Sequence, residues 1–261
     1  MHKISVLIST VNNNISNLIL PKNQNIHYVV VHQVFDNNCI DLLYDNLFEG
    51  RLDVTYKRLD YPGLSKSRNV ALEICTTKYG YIMDDDVEVD LDAIEKLVDF
   101  MEQEKVDVAT CQYQFKSDNS PRPYSNSTFA HNFLSSARVA SIEICLNIQS
   151  LKNKNISFDE RFGLGTNLPS GEEYILLTDC LKNNLAVKYY PIITGIHPDI
   201  ISGMDFYSNF PKILAKREMF KRIFGWKSFV FIFAFWLKKL PAVLKEGYAI
   251  PFTKTLMFGV K

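Results

Sequence analysis

Tyr79-Gly80-Tyr81-Ile82-Met83-Asp84-Asp85-Asp86 is an apolar run that stops on three consecutive acids. A short run of this kind, rich in aromatic and branched side chains, reads as a buried β-strand. In an open α/β sheet, ligands sit beyond the carboxyl ends of the strands, so Asp84, Asp85 and Asp86 project into the expected site. Three like charges at one strand end repel one another unless a cation relieves them. Hard carboxylate oxygens suit Mg²⁺ or Mn²⁺ carried in with a diphosphate. The plain alternative is a solvated loop whose acids cap the next helix. That helix is expected over 91–104, where Leu91, Ile94, Leu97, Val98 and Met101 form one apolar face and Asp92 with Glu95 reads as a capping box.

Working outward, β-rich runs at 3–9, 26–33, 53–58, 79–83 and 106–113 alternate with helix-like stretches at 38–48, 65–77 and 91–104. This rhythm predicts an α/β fold with a mostly parallel central sheet flanked by helices. Residues 116–130 are rich in Ser, Asn and Pro and are long enough to act as a lid. A strand at 139–148, a glycine-containing loop at 163–171, a helix at 172–183 and strands near 186–196 are expected to follow. The chain divides into an α/β domain over 1–204 and a helical C-terminal appendage over 205–261.

The 261 residues are 47% hydrophobic, ample for a large core, and carry 29 basic and 29 acidic side chains. Zero net charge argues against a dedicated nucleic-acid binder. The balance is uneven, because residues 212–261 hold eleven Lys/Arg against Glu218 and Glu246, which makes this tail +9 and the remainder −9. Five widely spaced cysteines without a metal-binding or C-x-x-C pattern read as reduced core residues of a cytosolic protein. Ile4-Ser5-Val6-Leu7-Ile8 reads as a first strand rather than the apolar core of a signal peptide.

Gly63-Leu64-Ser65-Lys66-Ser67-Arg68-Asn69 follows the strand at 53–58 and opens a helix. A glycine turn, free amides at a helix N-terminus and two cations on the first turn are what binding a phosphate needs. Taken in order, these motifs resemble the inverting glycosyltransferases of family 2, which have the GT-A nucleotide-sugar fold; the resemblance covers residues 3 to about 198. It implies that Ser9 and Thr10, in Ser9-Thr10-Val11-Asn12, touch the nucleoside. It places Gly63, Lys66 and Arg68 of the family's Gly-x-x-x-Ala-Arg-Asn segment near the donor's base or phosphates. In the family's Asp-x-Asp motif Asp86 would be the direct metal ligand, and Asp84, flanked by the donor-binding Asp85, would hold the ribose or a metal-bound water.

The resemblance continues in Phe158-Asp159-Glu160-Arg161-Phe162-Gly163 and then Gly171-Glu172-Glu173, where relatives carry Glu-Asp at a helix start. The second acid is the general base, which implies Glu173. Glu stands here in place of Asp, so Glu172 is the alternative. His197, just past a strand, stands where some relatives have a third metal ligand beside Asp86 and Asp84. Relatives commonly end the second strand in Asp-Asp-Gly-Ser, whereas this chain has Val31-His32-Gln33, and Gln33 is expected to hydrogen-bond a uracil instead.

The implied activity is metal-dependent, inverting transfer from a nucleotide-diphosphate sugar, UDP-linked in the first instance, to a hydroxyl of a glycan acceptor. A non-catalytic relative that binds nucleotide sugar or membrane is the alternative that the change at 173 keeps open. A phosphohydrolase of the haloacid dehalogenase kind also uses Asp-x-Asp, but wants Thr or Val where this chain has Glu88.

Phe229 to Leu237 is nine apolar residues in a row between Lys227 and Lys238-Lys239. A bilayer span needs about 20 apolar residues. An aromatic-rich helix with cationic flanks is suited instead to lying in an anionic headgroup region. The expectation is a protein peripheral on the cytoplasmic face of the membrane with a lipid-linked acceptor. The alternative for this segment is a buried core or oligomer-interface helix.

Overall fold

In the computed structural model, which describes residues 2–36, 47–117, 123–199 and 205–260, nine strands form one sheet. These are β1 (Ile4–Val11), β2 (Ile26–Gln33), β3 (Val54–Leu59), β4 (Tyr79–Asp84), β5 (Glu88–Val89), β6 (Val108–Phe115), β7 (Phe129–Ala130), β8 (Ile144–Asn147) and β9 (Val187–His197). Their order is β3-β2-β1-β4-β8-β6-β9-β5, with β7 also paired to β9. The first four strands pair in parallel, and β6 runs parallel to β9. The short strand β8 is antiparallel to both β4 and β6 and joins the two parallel halves.

Around the sheet lie α1 (Leu64–Ile74), α2 (Leu91–Gln103), α3 (Ile148–Asn153) and α4 (Glu172–Lys182). The alternation of side chains along a strand builds two cores, one on each face. Val6, Ile8, Tyr81 and Met83 face Ile94, Leu97 and Val98 of α2. Leu7, Val31 and Ile82 face Ala71 and Leu72 of α1 and Leu176 and Leu177 of α4. Cys75, Cys111, Cys145 and Cys180 are buried and unbridged, as expected of reduced core residues.

The C-terminal segment forms α5 (Phe210–Phe224), α6 (Ser228–Lys245) and α7 (Ala249–Phe258). Ile213, Ile232, Val243, Phe252 and Leu256 give these helices a core of their own. A second cluster, of Phe162, Tyr174 and Ile175 with Met219 and Ile223, fixes α5 to α4. Arg222 reinforces that joint by reaching Asp179 at 2.7 Å and Asp159 at 2.9 Å.

Three sequence expectations need correction. Helix α2 is capped not by Asp92 with Glu95 but by Asp90, whose carboxylate accepts the Ala93 N–H at 3.0 Å. Glu95 instead accepts from Asn23 and Asn25. The continuous strand expected at 139–148 is a 3₁₀ turn at Ser141–Glu143, then β8, then α3, because the Glu143 carboxylate accepts the Ala140 N–H at 2.8 Å and closes the chain into a tight turn. Near 186–196 there is one strand, β9, rather than several. Most of the helix expected at 38–48, and the centre of the loop expected at 116–130, lie outside the described residues.

An N-cap carboxylate contributes about 1 kcal/mol to stability. Asp90→Ala is therefore expected to lower the unfolding free energy by about that amount in urea titrations, and Asp92→Ala by less.

Candidate functional site

The chain leaves β1 for β2 and β3 on one side of the sheet and returns to β4 on the other, which makes the gap between β1 and β4 a topological switch point. Ser9 and Asp84 lie opposite one another in that register, at the carboxyl ends of both strands. A cleft of about 560 Å³ opens there, lined by Ser9, Thr10, Gln33, Gly63, Arg68, Asp84, Asp85 and Asp86 on one side and by Ser141, Glu172, Glu173 and His197 on the other. Its volume suits a small molecule or cofactor.

The centre of the cleft is an arginine. Arg68, on α1, is 3% exposed and bridges two elements distant in sequence, with Nη2 2.9 Å from Asp84 Oδ1 and Nη1 3.2 Å from Glu172 Oε1. Its guanidinium also lies over the Phe158 ring, 5.5 Å from the centroid. One cation thus ties the end of β4 to the first turn of α4. Glu172 Oε2 and Arg68 Nε, both buried, have no hydrogen-bond partner among the described residues.

Glu173 is the next residue of that turn and also faces the cleft. Burial, then the charge of Glu172, pushes its carboxyl up from the ordinary 4.5 to about 8, and Arg68 opposes the shift. A group poised near neutrality is what a general acid or base needs.

The three strand-end acids have separate fates. Asp84 is held by Arg68 and accepts a 3.3 Å bond from Ser141 Oγ. Asp85 accepts from Thr10 Oγ1 at 2.7 Å, and burial raises its pKa. Asp86 is exposed at the cleft and its side chain makes no hydrogen bond or ion pair among the described residues. The three-ligand set expected from Asp86, Asp84 and His197 is not assembled: among the described residues no three His, Cys, Asp or Glu side chains converge on a metal position. His197 turns Nδ1 to the Pro198 carbonyl, and its ring lies against Tyr113 with centroids 5.7 Å apart. What remains, a free Asp86 with Asp84 nearby, is a hard-oxygen site that fits a divalent cation bringing most of its own ligands as phosphate oxygens.

The segment Gly63–Asn69 departs most from expectation. Its first two amides are already engaged: Gly63 N–H donates to Gln33 Oε1 at 2.7 Å and Leu64 N–H to the Leu164 carbonyl at 2.9 Å. Asn69 gives and takes a bond with the Phe158 backbone, at 3.0 and 2.8 Å. Ser65 Oγ donates to the Phe162 carbonyl. The segment is a joint that fastens the 158–170 loop, and so the start of α4, to the sheet.

At this joint Gly165 has φ +81°, and a Cβ there would stand 2.9 Å from Gly63 N, so no other residue fits without displacing backbone. Lys66 lies outside the cleft with its ammonium over the Tyr61 ring. Gln33 keeps its place at the cleft wall, its carbonyl oxygen accepting the Gly63 N–H.

Three contributors were missed by sequence reading. Ser141 reaches Asp84 from the turn that had been expected to be strand. Tyr113 enters the cleft where the pairing of β6 with β9 shifts register, an irregularity that re-aims side chains. Lys216 comes from α5, with Nζ 3.9 Å from Met219 Sδ. Burial pushes its pKa down against the attraction of Glu173 and Glu172. The one available signal was Gly171, which has φ +104° and whose missing Cβ is where Met219 Sδ packs, 2.8 Å away.

The sequence pattern of the glycosyl transferase family 2 matches residues 10–168. No curated protein matches the chain in sequence. Among solved structures it is similar to S. aureus TarS, with TM-score 0.56 and 19% identity over 86% of this chain and 44% of that one. It is also similar to TarS 1-349 in complex with UDP-GlcNAc, with TM-score 0.56 and 17% identity over 99% and 82%. TarS 1-349 in complex with UDP gives TM-score 0.54 and 19% identity over 92% and 77%. This chain therefore spans less than half of the full TarS chain and shares its fold.

Breaking a buried ion pair by removing one partner costs about 3–5 kcal/mol. Arg68→Met, which strands Glu172, is expected to lose an amount in that range in denaturant unfolding, and adding Glu172→Gln should restore part of it. A single variant as stable as the parent would contradict the bridging role.

Proposed function

This chain belongs to glycosyl transferase family 2, and on that premise we propose that its cleft binds a nucleotide-diphosphate sugar, UDP-linked, and transfers the hexosyl or N-acetylhexosaminyl group to a hydroxyl of a glycan acceptor, lipid-linked in bacterial surface polysaccharide synthesis. The observation that carries this reading is the arrangement at the β1–β4 switch point: the uncommitted acid Asp86 and the raised carboxyl of Glu173 line one cleft, and Arg68 ties together their neighbours Asp84 and Glu172. The likeness in fold to a protein solved with UDP and with UDP-GlcNAc supports the choice of donor.

In this proposal Thr10, Asp85 and Gln33 face the nucleoside end. Asp86, with Asp84 behind it, holds Mn²⁺ or Mg²⁺; the bound cation would supply charge neutralisation for a departing diphosphate. Glu173 takes the proton from the acceptor hydroxyl, whose oxygen attacks the anomeric carbon opposite the nucleotide, so that one bond forms as one breaks and configuration inverts. Arg68 keeps the carboxylate of Glu172 from turning on its neighbour, and Leu164, Pro169 and Ser170 cover the cleft wall beside the acceptor end. The positions of Arg68 and Lys66 argue for different duties than phosphate binding: the first orients acids and the second stacks on Tyr61.

A second reading rests on Glu173 itself. A carboxyl pushed up to about 8 is largely protonated at neutral pH, which favours a chain that binds donor without turning it over. Transfer to any acceptor rules that out.

The test is release of nucleoside diphosphate from UDP-, GDP- and dTDP-sugars with Mn²⁺ or Mg²⁺ and a lipid-linked glycan. Metal-dependent release from one donor is expected, reduced roughly 10²–10⁴-fold in Glu173→Gln and roughly a hundredfold or more in Asp86→Ala. Donor binding without release by the parent would favour the second reading, and no binding of any donor would overturn both.

The raised pKa also has a signature in stability. Glu173 holds a proton in the folded chain that the unfolded chain has released, so its contribution is intact below about pH 4.5 and is lost as pH rises toward about 8. In Glu173→Gln that downward slope is expected to vanish from the pH profile of unfolding. If catalysis occurs, kcat/KM is expected to climb along an acid limb near pH 8.

A further inference from the structure

Helix α6 is built inside out for a helix resting on a water-soluble protein. Phe229, Phe233, Leu237 and Leu244 follow one another at spacings of four, four and seven residues, which places them on a single stripe of the helix. All four face outward, 63%, 48%, 51% and 59% exposed. The side of the same helix that packs on the other helices of the tail, through Ile232 and Val243, lies about 100° round from the stripe. An ordinary surface helix puts its polar residues where this stripe lies. Trp226, just before the helix, and Ile250, on α7, are more exposed still, at 80% and 72%.

The charge around the stripe has one sign. At 100° per residue, Lys245 and Lys238 fall together about 80–100° beyond the Leu237 edge of the stripe, at the margin of the helix's exposed side, both exposed and without an acidic partner among the described residues. Lys227 covers the Trp226 ring from 5.4 Å at the start of the helix. Between Glu218 and Glu246 the chain has no acid at all. Several cations of α5 are neutralised locally, as Lys212 is by Asp205 and Arg222 by Asp159 and Asp179. Within the described residues no helix is long and apolar enough to cross a membrane.

We propose that the outer face of α6, with Trp226 and Ile250 beside it, docks on an anionic phospholipid surface, inserting Phe229, Phe233 and Leu237 among the acyl chains while Lys238 and Lys245 meet the headgroups. Aromatic side chains with a lysine fringe suit that boundary, and the charge complements lipid phosphates rather than an acidic or neutral protein groove. The docked tail is not remote from the cleft. Met219 of α5 packs on Gly171, directly before Glu172 and Glu173, so the membrane surface and the acid pair are held on one rigid joint. Docking does not depend on sugar transfer, since none of the stripe residues lines the cleft.

The experiment is co-sedimentation of the whole chain with vesicles of phosphatidylcholine alone or containing phosphatidylglycerol, at low and high salt, with the oligomeric state followed by light scattering. The parent is expected to pellet with the phosphatidylglycerol vesicles and less so at high salt. Phe229→Ser/Phe233→Ser/Leu237→Ser is expected to lose at least about tenfold in vesicle affinity, and Lys238→Gln and Lys245→Gln about fivefold each. Because every altered side chain points outward, melting temperatures should stay at the parent value, which separates lost docking from lost folding. A parent that stays in solution with both vesicle types overturns the proposal, as does a triple variant that binds like the parent. Self-association of the parent through this face, abolished in the triple variant and without vesicle binding, would assign the stripe to a second copy instead.

Discussion

The buried pairing of Arg68 with Asp84 and Glu172 is the constraint on which the cleft depends. A guanidinium removed from water is tolerable only if its fixed fork meets acids, and here the acids come from two different places in the chain. Asp84 closes β4, at the heart of the parallel sheet; Glu172 opens α4, far along the sequence. Satisfying Arg68 therefore brings together the acid-rich strand end and the helix turn that carries Glu173. The same joint explains the surrounding bonds. Asn69 and Ser65, neighbours of Arg68 on α1, fasten the loop that leads into α4, and Gln33 fastens the glycine that starts α1.

A second constraint acts from behind. Gly171 lacks a side chain so that Met219 can sit against the start of α4, and Arg222 clamps α5 to Asp159 and Asp179. The tail is thus packed on the back of the acid pair, with Lys216 on that side, its pKa pushed down by burial against the attraction of Glu173 and Glu172. The tail meets the start of α4 through packed side chains.

Much of the architecture was legible because it rests on short-range patterns. The apolar run ending at Asp84, the periodic face of α2 and the glycine-led start of α4 each announce themselves within a few residues. The lining of the cleft was legible too: of the residues singled out in the sequence, Ser9, Thr10, Gln33, Gly63, Arg68, Asp84, Asp85, Asp86, Glu172, Glu173 and His197 line it, and Lys66 does not. The roles were harder to read. Arg68 looks like a phosphate ligand until its two carboxylate partners are located, and Gly63 and Leu64 look like free amides until Gln33 and the Leu164 carbonyl are found on them. Hydrogen bonds between residues distant in sequence leave no local pattern. Ser141 and Lys216 are the extreme cases, one hidden by a turn that resembles strand and the other by its place in a tail with a different apparent purpose.

The central claim is that the uncommitted acid at the end of β4 is the place where a nucleoside diphosphate and a divalent cation meet this chain. Calorimetric titration of UDP into the parent and Asp86→Ala, each with and without Mn²⁺, tests it most directly. The account predicts one site per chain, metal-dependent in the parent and lost in Asp86→Ala while that variant stays folded. Binding of UDP that is indifferent both to the metal and to Asp86 would contradict it.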